Sequence, residues 1–176
     1  MAVNSRKKGA KAERKVADLF SEWAGRKFHR VPASGGLRWK NRSDTIGDIT
    51  CGEERHFFPF VIEVKTRKEI NFEHLLYLDN SEILKFWEQA QDESKRAKKP
   101  SLLFMRYNGM PKDIWFIAMS PDIWRICRTY LDLKKPHMIL RPKFIIIRSD
   151  ILFNSPYKKL RREVITYIDK TWPREN

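Results

Sequence analysis

Glycine and cysteine are scarce in this chain, with 7 and 2 among 176 residues. No apolar run approaches the ~20 residues that a membrane-spanning helix needs, which excludes a helical membrane protein. Cys51 and Cys127 lie in unlike contexts, without histidines at zinc-ligand spacing. That excludes a disulfide framework and a cysteine-based zinc module, and both thiols are expected to be ordinary and buried. His29, His56, His74 and His137 are scattered without ligand spacing, and there is no internal repeat or low-complexity segment. Acid is also short relative to base: 22 Asp and Glu against 36 Lys and Arg leave a formal charge of +14. Such a balance favours a polyanionic partner, nucleic acid ahead of an anionic membrane surface. The basic opening MAVNSRKKGAKAERK leads into an amphipathic pattern and not an apolar signal core, so a cytoplasmic location is expected. The length suits a single domain.

Residues 6–27 place Val16, Ala17, Phe20, Trp23 and Ala24 on one helical face, and the same spacing puts Glu13 within it. A carboxylate there is costly unless it is paired with an arginine or bound to a cation. FHRVP (28–32) reads as a short strand and ASGGLRWKNRSD (33–44) as a polar loop. TIGDITCG (45–52) and HFFPFVIEVKT (56–66) read as two strands, expected to form a hairpin around Gly52-Glu53-Glu54. SEILKFWEQAQDESKRAKKP (81–100) is a helix with acid at its start, base at its end and a terminating proline. SLLFMRY (101–107), DIWFIAMS (113–120) and KFIIIR (143–148) are predicted strands; PDIWRICRTYL (121–131) and PYKKLRREVITYIDKTW (156–172) are predicted helices. The order implies an α/β fold, a mixed sheet covered by helices.

FFPFVIEVKT carries two opposite charges in a run otherwise built for a core. Alternate side chains of a strand share a face, so Glu63 and Lys65 project together while Ile62 and Val64 face the other way. Hairpin pairing would bring Asp48 beside Glu63, and two carboxylates on neighbouring strands form a hard-oxygen site suited to Mg²⁺, with Mn²⁺ as a substitute. A cation there can polarise a phosphate oxygen and activate water, with an ammonium such as that of Lys65 to orient the water or stabilise charge. Asp44 competes for the role of Asp48, but its Ser43-Asp44-Thr45 setting reads as a turn. An isolated Glu-x-Lys is also a common surface ion pair, so the pattern gains weight from Asp48 and Glu13 together. Trp39, flanked by Arg38, Lys40 and Arg42, puts a ring among cations, a combination that stacks on unpaired bases.

Gly9 and Glu13, then Asp48, then Glu63-Val64-Lys65 resemble the PD-(D/E)xK nuclease superfamily. Within it, RKKGAKAERKVADLF followed by HRVPASGG is similar to the archaeal-type Holliday junction resolvases, which also occur in phages. The resemblance covers residues 5 to about 107. It implies a restriction-endonuclease-like core, with 108–176 as a C-terminal elaboration of the same domain serving dimerisation or DNA binding. It implies metal binding by Glu13, Asp48, Glu63 and the Val64 carbonyl, and catalysis by Glu13, Asp48, Glu63 and Lys65. Arg14, Arg30 and Ser34 would contact phosphate, together with the Arg38, Trp39, Lys40 and Arg42 loop. The implied activity is paired nicking of four-way DNA junctions by a homodimer. Gly47 departs from the proline usual before the aspartate.

Overall fold

The computed structural model describes residues 2–31, 46–52, 58–77, 81–131 and 139–173. Its helices are α1 (Ala2–Ala24), α2 (His74–Tyr77), α3 (Glu82–Ala97), α4 (Pro121–Cys127), α5 (Ser149–Phe153) and α6 (Tyr157–Thr171). Its strands are β1 (His29–Arg30), β2 (Ile49–Thr50), β3 (Val61–Arg67), β4 (Ser101–Tyr107), β5 (Phe116–Met119), β6 (Ile139–Leu140) and β7 (Ile145–Arg148). The main sheet runs β3-β4-β5-β7-β6, with β3 and β4 parallel and the remaining pairs antiparallel. It is a mixed sheet flanked by helices, the α/β architecture of a PD-(D/E)xK nuclease core. No described helix is long and apolar enough to cross a membrane.

A parallel pair needs a crossover, and α3 lies on the one between β3 and β4. Its start is set by Ser81, whose hydroxyl accepts from the Leu84 amide at 3.3 Å. Lys98 ends it in the left-handed region at φ 51°, and the Ser94 hydroxyl donates to the Lys99 carbonyl at 2.6 Å. Ile83, Phe86, Trp87 and Ala90 of this helix cover one face of the sheet, against Leu103, Met105, Ala118 and Ile146. The opposite face packs Ile62, Val64, Phe104, Ile117 and Ile147 under α1, α4, α5 and α6. Two-residue alternation thus divides every long strand between two cores.

Phe20 is the hub of the second core. Its fully buried ring meets Phe58, Phe104 and Phe153 edge-on with centroids 5.2–5.4 Å apart, tying α1 to the sheet and to α5. Truncating such a ring typically costs about 3–5 kcal/mol.

The predicted hairpin is not what positions Asp48. β2 pairs antiparallel with β1, Arg30 opposite Ile49, in a separate two-stranded ladder. It reaches β3 through the Asp48 amide, which donates to the Ile62 carbonyl at 2.7 Å. Among the described residues 46–52, regular strand is confined to Ile49–Thr50, flanked by Gly47 at φ +93° and Gly52 at φ +69°, and Glu53 and Glu54 of the expected turn lie outside the described residues.

The strand expected at 113–120 narrows to β5. The helix expected at 121–131 stops at Cys127 and continues as a 3-10 turn at Arg128–Tyr130. β5 and β7 lie inside the main sheet, and the Ser149 amide donates to the Trp115 carbonyl at 2.8 Å between them. Trp23 Nε1 in turn donates to the Ser155 carbonyl at 2.8 Å, joining α1 to the segment before α6.

Candidate active site

The edge strand β3 carries Glu63 and Lys65 on the face covered by α3, Glu63 opposite Leu103 and Lys65 opposite Met105. The two side chains form an ion pair in which the carboxylate is 3% exposed and the ammonium 19%. Phe86 of α3 stands beside them, its ring centroid 5.7 Å from Lys65 Nζ. α3 also supplies Gln89, whose Nε2 donates to Glu63 Oε1 at 2.9 Å and lies 3.4 Å from Glu93 Oε1. Glu93 Oε2 is buried without a hydrogen-bond partner among the described residues.

Asp48 docks on the same strand from the side. Its Oδ2 accepts from the Val64 amide at 2.8 Å, and the residue is buried. Gly47 makes that approach possible. A Cβ at this position would lie 2.9 Å from the Ile62 carbonyl oxygen and 3.0 Å from Val61 Cγ1. Proline, fixed near φ −65°, cannot adopt the observed backbone, so glycine here is a structural requirement and not merely a tolerated departure.

Burial pushes the Asp48 carboxyl up to about 6, partly offset by the Val64 amide, with the Glu13 charge adding to the rise. Glu63 is pushed up to about 8, first by burial and then by the charges of Asp48 and Glu93, against the opposing pull of Lys65. Carboxylates are therefore gathered in a low-dielectric position with too little positive charge beside them, a deficit that a hard dication would offset.

Glu13 comes from α1, half-buried and ion-paired with Arg30 of β1. That arginine is thus engaged with a carboxylate, while Arg14 is exposed on α1. Among the described residues, no three His, Cys, Asp or Glu side chains are gathered tightly enough to form one metal-holding group. Glu13 is held by Arg30, and Glu63 by Lys65 and Gln89. Ser34, Arg38, Trp39, Lys40, Arg42 and Asp44 lie outside the described residues. Burial pushes the Cys127 thiol up to about 12, whereas Cys51, expected to be buried, is half-buried.

Gln89 and Glu93 were not singled out by the sequence. Their only local signal is an i, i+4 polar pair beside the apolar stripe of Phe86 and Ala90. That signal is shared with any solvent-facing pair.

Residues 4–161 match the model of a family described as "Phage putative PDDEXK endonuclease". The chain belongs to this family. The PDDEXK endonucleases are nuclease hydrolases, so a nuclease class follows for a chain with this fold. The family match runs through β7 and into α6, beyond residue 107 where the resemblance to the resolvases ends. The chain is also 30% identical over 146 residues to Protein D14 of Escherichia phage T5, across 81% of this chain and 86% of that protein. No solved structure matches it.

Proposed function

We propose that this PDDEXK family member is a metal-dependent DNA endonuclease that nicks four-way junctions in symmetric pairs. The observation that carries the metal-dependent reading is the burial of Glu63 on β3 and of Asp48 docked against that strand, beside the Lys65 ammonium. Glu93 Oε2, without a hydrogen-bond partner among the described residues, and the raised Asp48 and Glu63 carboxyls fit a cation in that position. Asp48, Glu63 and the Val64 carbonyl would hold Mg²⁺, or Mn²⁺ in its place, with Glu13 contributing from α1. When bound, such a cation polarises a phosphate oxygen and lowers the pKa of its water.

Lys65 keeps an ammonium next to Glu63 and would orient the attacking water or stabilise charge on the phosphate. Gln89 holds Glu63 in place. Arg14, Arg30 and Ser34, with Arg38, Trp39, Lys40 and Arg42, would grip the backbone near the scissile bond. The chain's +14 charge supports this binding mode. Junction selectivity is supported by the RKKGAKAERKVADLF and HRVPASGG segments. A two-fold substrate suits a homodimer with two sites. Residues 1–176 are proposed to form one nuclease domain acting in DNA recombination or repair in the cytoplasm, the host's if phage-encoded. Within that domain, residues 108–176 elaborate the 5–107 core.

The test is a labelled four-way junction, with duplex, flap and single-stranded controls of the same sequence, incubated with Mg²⁺ or EDTA. Paired symmetric nicks on the junction that Asp48→Asn abolishes are expected. Equal or better cutting of duplex, ends or flaps would keep the nuclease and remove the junction assignment. Binding without cutting under Mg²⁺ and Mn²⁺ would leave only a DNA-binding module.

A further inference from the structure

At the other end of the main sheet from β3, a pocket of about 450 Å³ opens between α4 and the turn into β7. Its described lining includes Trp124, Arg125, Arg128 and Arg141 around the apolar Ile145. The volume lies within the range of small-ligand sites, about 300–1,000 Å³. Trp124 is half-buried, and among the described residues no ring or cation is stacked on it. Arg125 forms an exposed ion pair with Asp122 at 3.0 Å, but neither Arg128 nor Arg141 has an ion-pair partner among the described residues. α4 packs on α6, whose Lys158 and Lys159 are exposed.

A ring set among guanidiniums at the mouth of a pocket suits one kind of ligand: a planar base with a phosphate attached. Arginines alone would serve duplex phosphates, which need no ring, and a paired base inside a duplex has no free face to offer. We infer that this pocket binds a nucleotide unstacked from a DNA strand, its base against Trp124 and its flanking phosphates on Arg128 and Arg141.

β7 lies three strand intervals from β3, roughly 14 Å at ~4.8 Å per interval, and Trp124 and Ile145 belong to the face of the sheet opposite the one that carries Glu63 and Lys65. The pocket would therefore hold a strand at a distance from the cut, as a branch-point contact. The inference rests on the DNA-nuclease reading but not on the four-way geometry.

The experiment measures binding of a fluorescent twelve-nucleotide oligothymidylate to the full chain in EDTA, where no cutting occurs. Trp124→Ala is expected to weaken binding about tenfold, within the range for loss of one stacked base. Arg128→Ala with Arg141→Ala should lower the slope of log affinity against log salt by about 1.4, the single-strand value for two phosphates. The arginine pair is the control for folding, since Trp124 also packs on the core. Unchanged affinity and salt slope in that pair would overturn the inference. So would competition by thymidine monophosphate at the oligonucleotide's own affinity, which would make this a free-nucleotide site. Nicking is read separately with Mg²⁺: the arginine pair should raise KM and leave kcat unchanged. Absence of nicking in the parent protein, with the EDTA results as expected, would count against the nuclease reading and not against the pocket.

Discussion

Gln89 donates its side-chain amide to Glu63 Oε1 at 2.9 Å, fastening the crossover helix to the buried carboxylate of the edge strand. The bond fixes the direction in which that carboxylate presents its other oxygen. Gln89→Ala is expected to lower nicking about tenfold while costing no more than ~1.5 kcal/mol of stability, the usual net value of one hydrogen bond. Gln89→Glu should be worse on both counts, because it adds a carboxylate beside Glu63 and Glu93. Single-turnover nicking and urea midpoints measured together check both statements.

The pH dependence of the metal-free protein has a definite sign. Asp48 and Glu63 are raised from 3.8 and 4.5 to about 6 and about 8, so the folded chain binds these protons more tightly than the unfolded one. Their contribution to stability is therefore full below pH ~4 and is lost as pH rises towards ~8, at up to about 1.4 kcal/mol per pH unit for each proton. Urea unfolding in EDTA should show falling stability between pH 5 and 8, and Glu63→Gln should remove much of that slope. Mg²⁺ should stabilise increasingly as pH rises, because binding displaces the same protons. A slope equal in the wild type and Glu63→Gln would contradict the assignment.

Gly47 should be intolerant of any side chain. Gly47→Ala meets both a positive φ and a 2.9 Å contact to the Ile62 carbonyl, and is expected to cost at least ~2 kcal/mol and abolish nicking by displacing Asp48. Gly25→Ala is the control: it shares a positive φ of 66° but its Cβ meets nothing within 4 Å. There the cost should be about 1–2 kcal/mol with nicking retained. Comparable effects at both glycines would show that close approach to β3 is unimportant.

The Glu13–Arg30 pair should behave as a unit. Arg30→Ala leaves a half-buried carboxylate without its cation, for an expected loss of about 1–3 kcal/mol. Adding Glu13→Gln should recover part of that loss, giving a coupling energy in a double-mutant cycle of thermal or urea unfolding. Additive losses would mean that the two side chains act separately.

Several elements are written in short segments of sequence because their causes are local. The two-residue period of FFPFVIEVKT is enough to put Glu63 and Lys65 on one side and Ile62 and Val64 on the other, and the structure keeps that division. β4 occupies the predicted Ser101–Tyr107, and α3 begins after Ser81 where an acidic first turn follows a hydroxyl. The placement of Glu13 on the apolar side of α1 was also legible, since helical spacing alone decides it.

What tertiary structure decided is which of these pieces meet. Periodicity does not specify a strand's partner, so β2 pairs with β1 while Asp48 docks onto β3 through an amide and a side-chain oxygen. Gln89 and Glu93 became part of the candidate site only when the β3–β4 crossover turned that flank of α3 towards Glu63. Likewise, residues after 107 supply β5 and β7 inside the main sheet. The sequence determined the faces of its helices and strands, through covalent geometry that repeats every two or 3.6 residues. Their meeting points were decided by burial and hydrogen bonding between segments far apart in the chain, which no local period encodes.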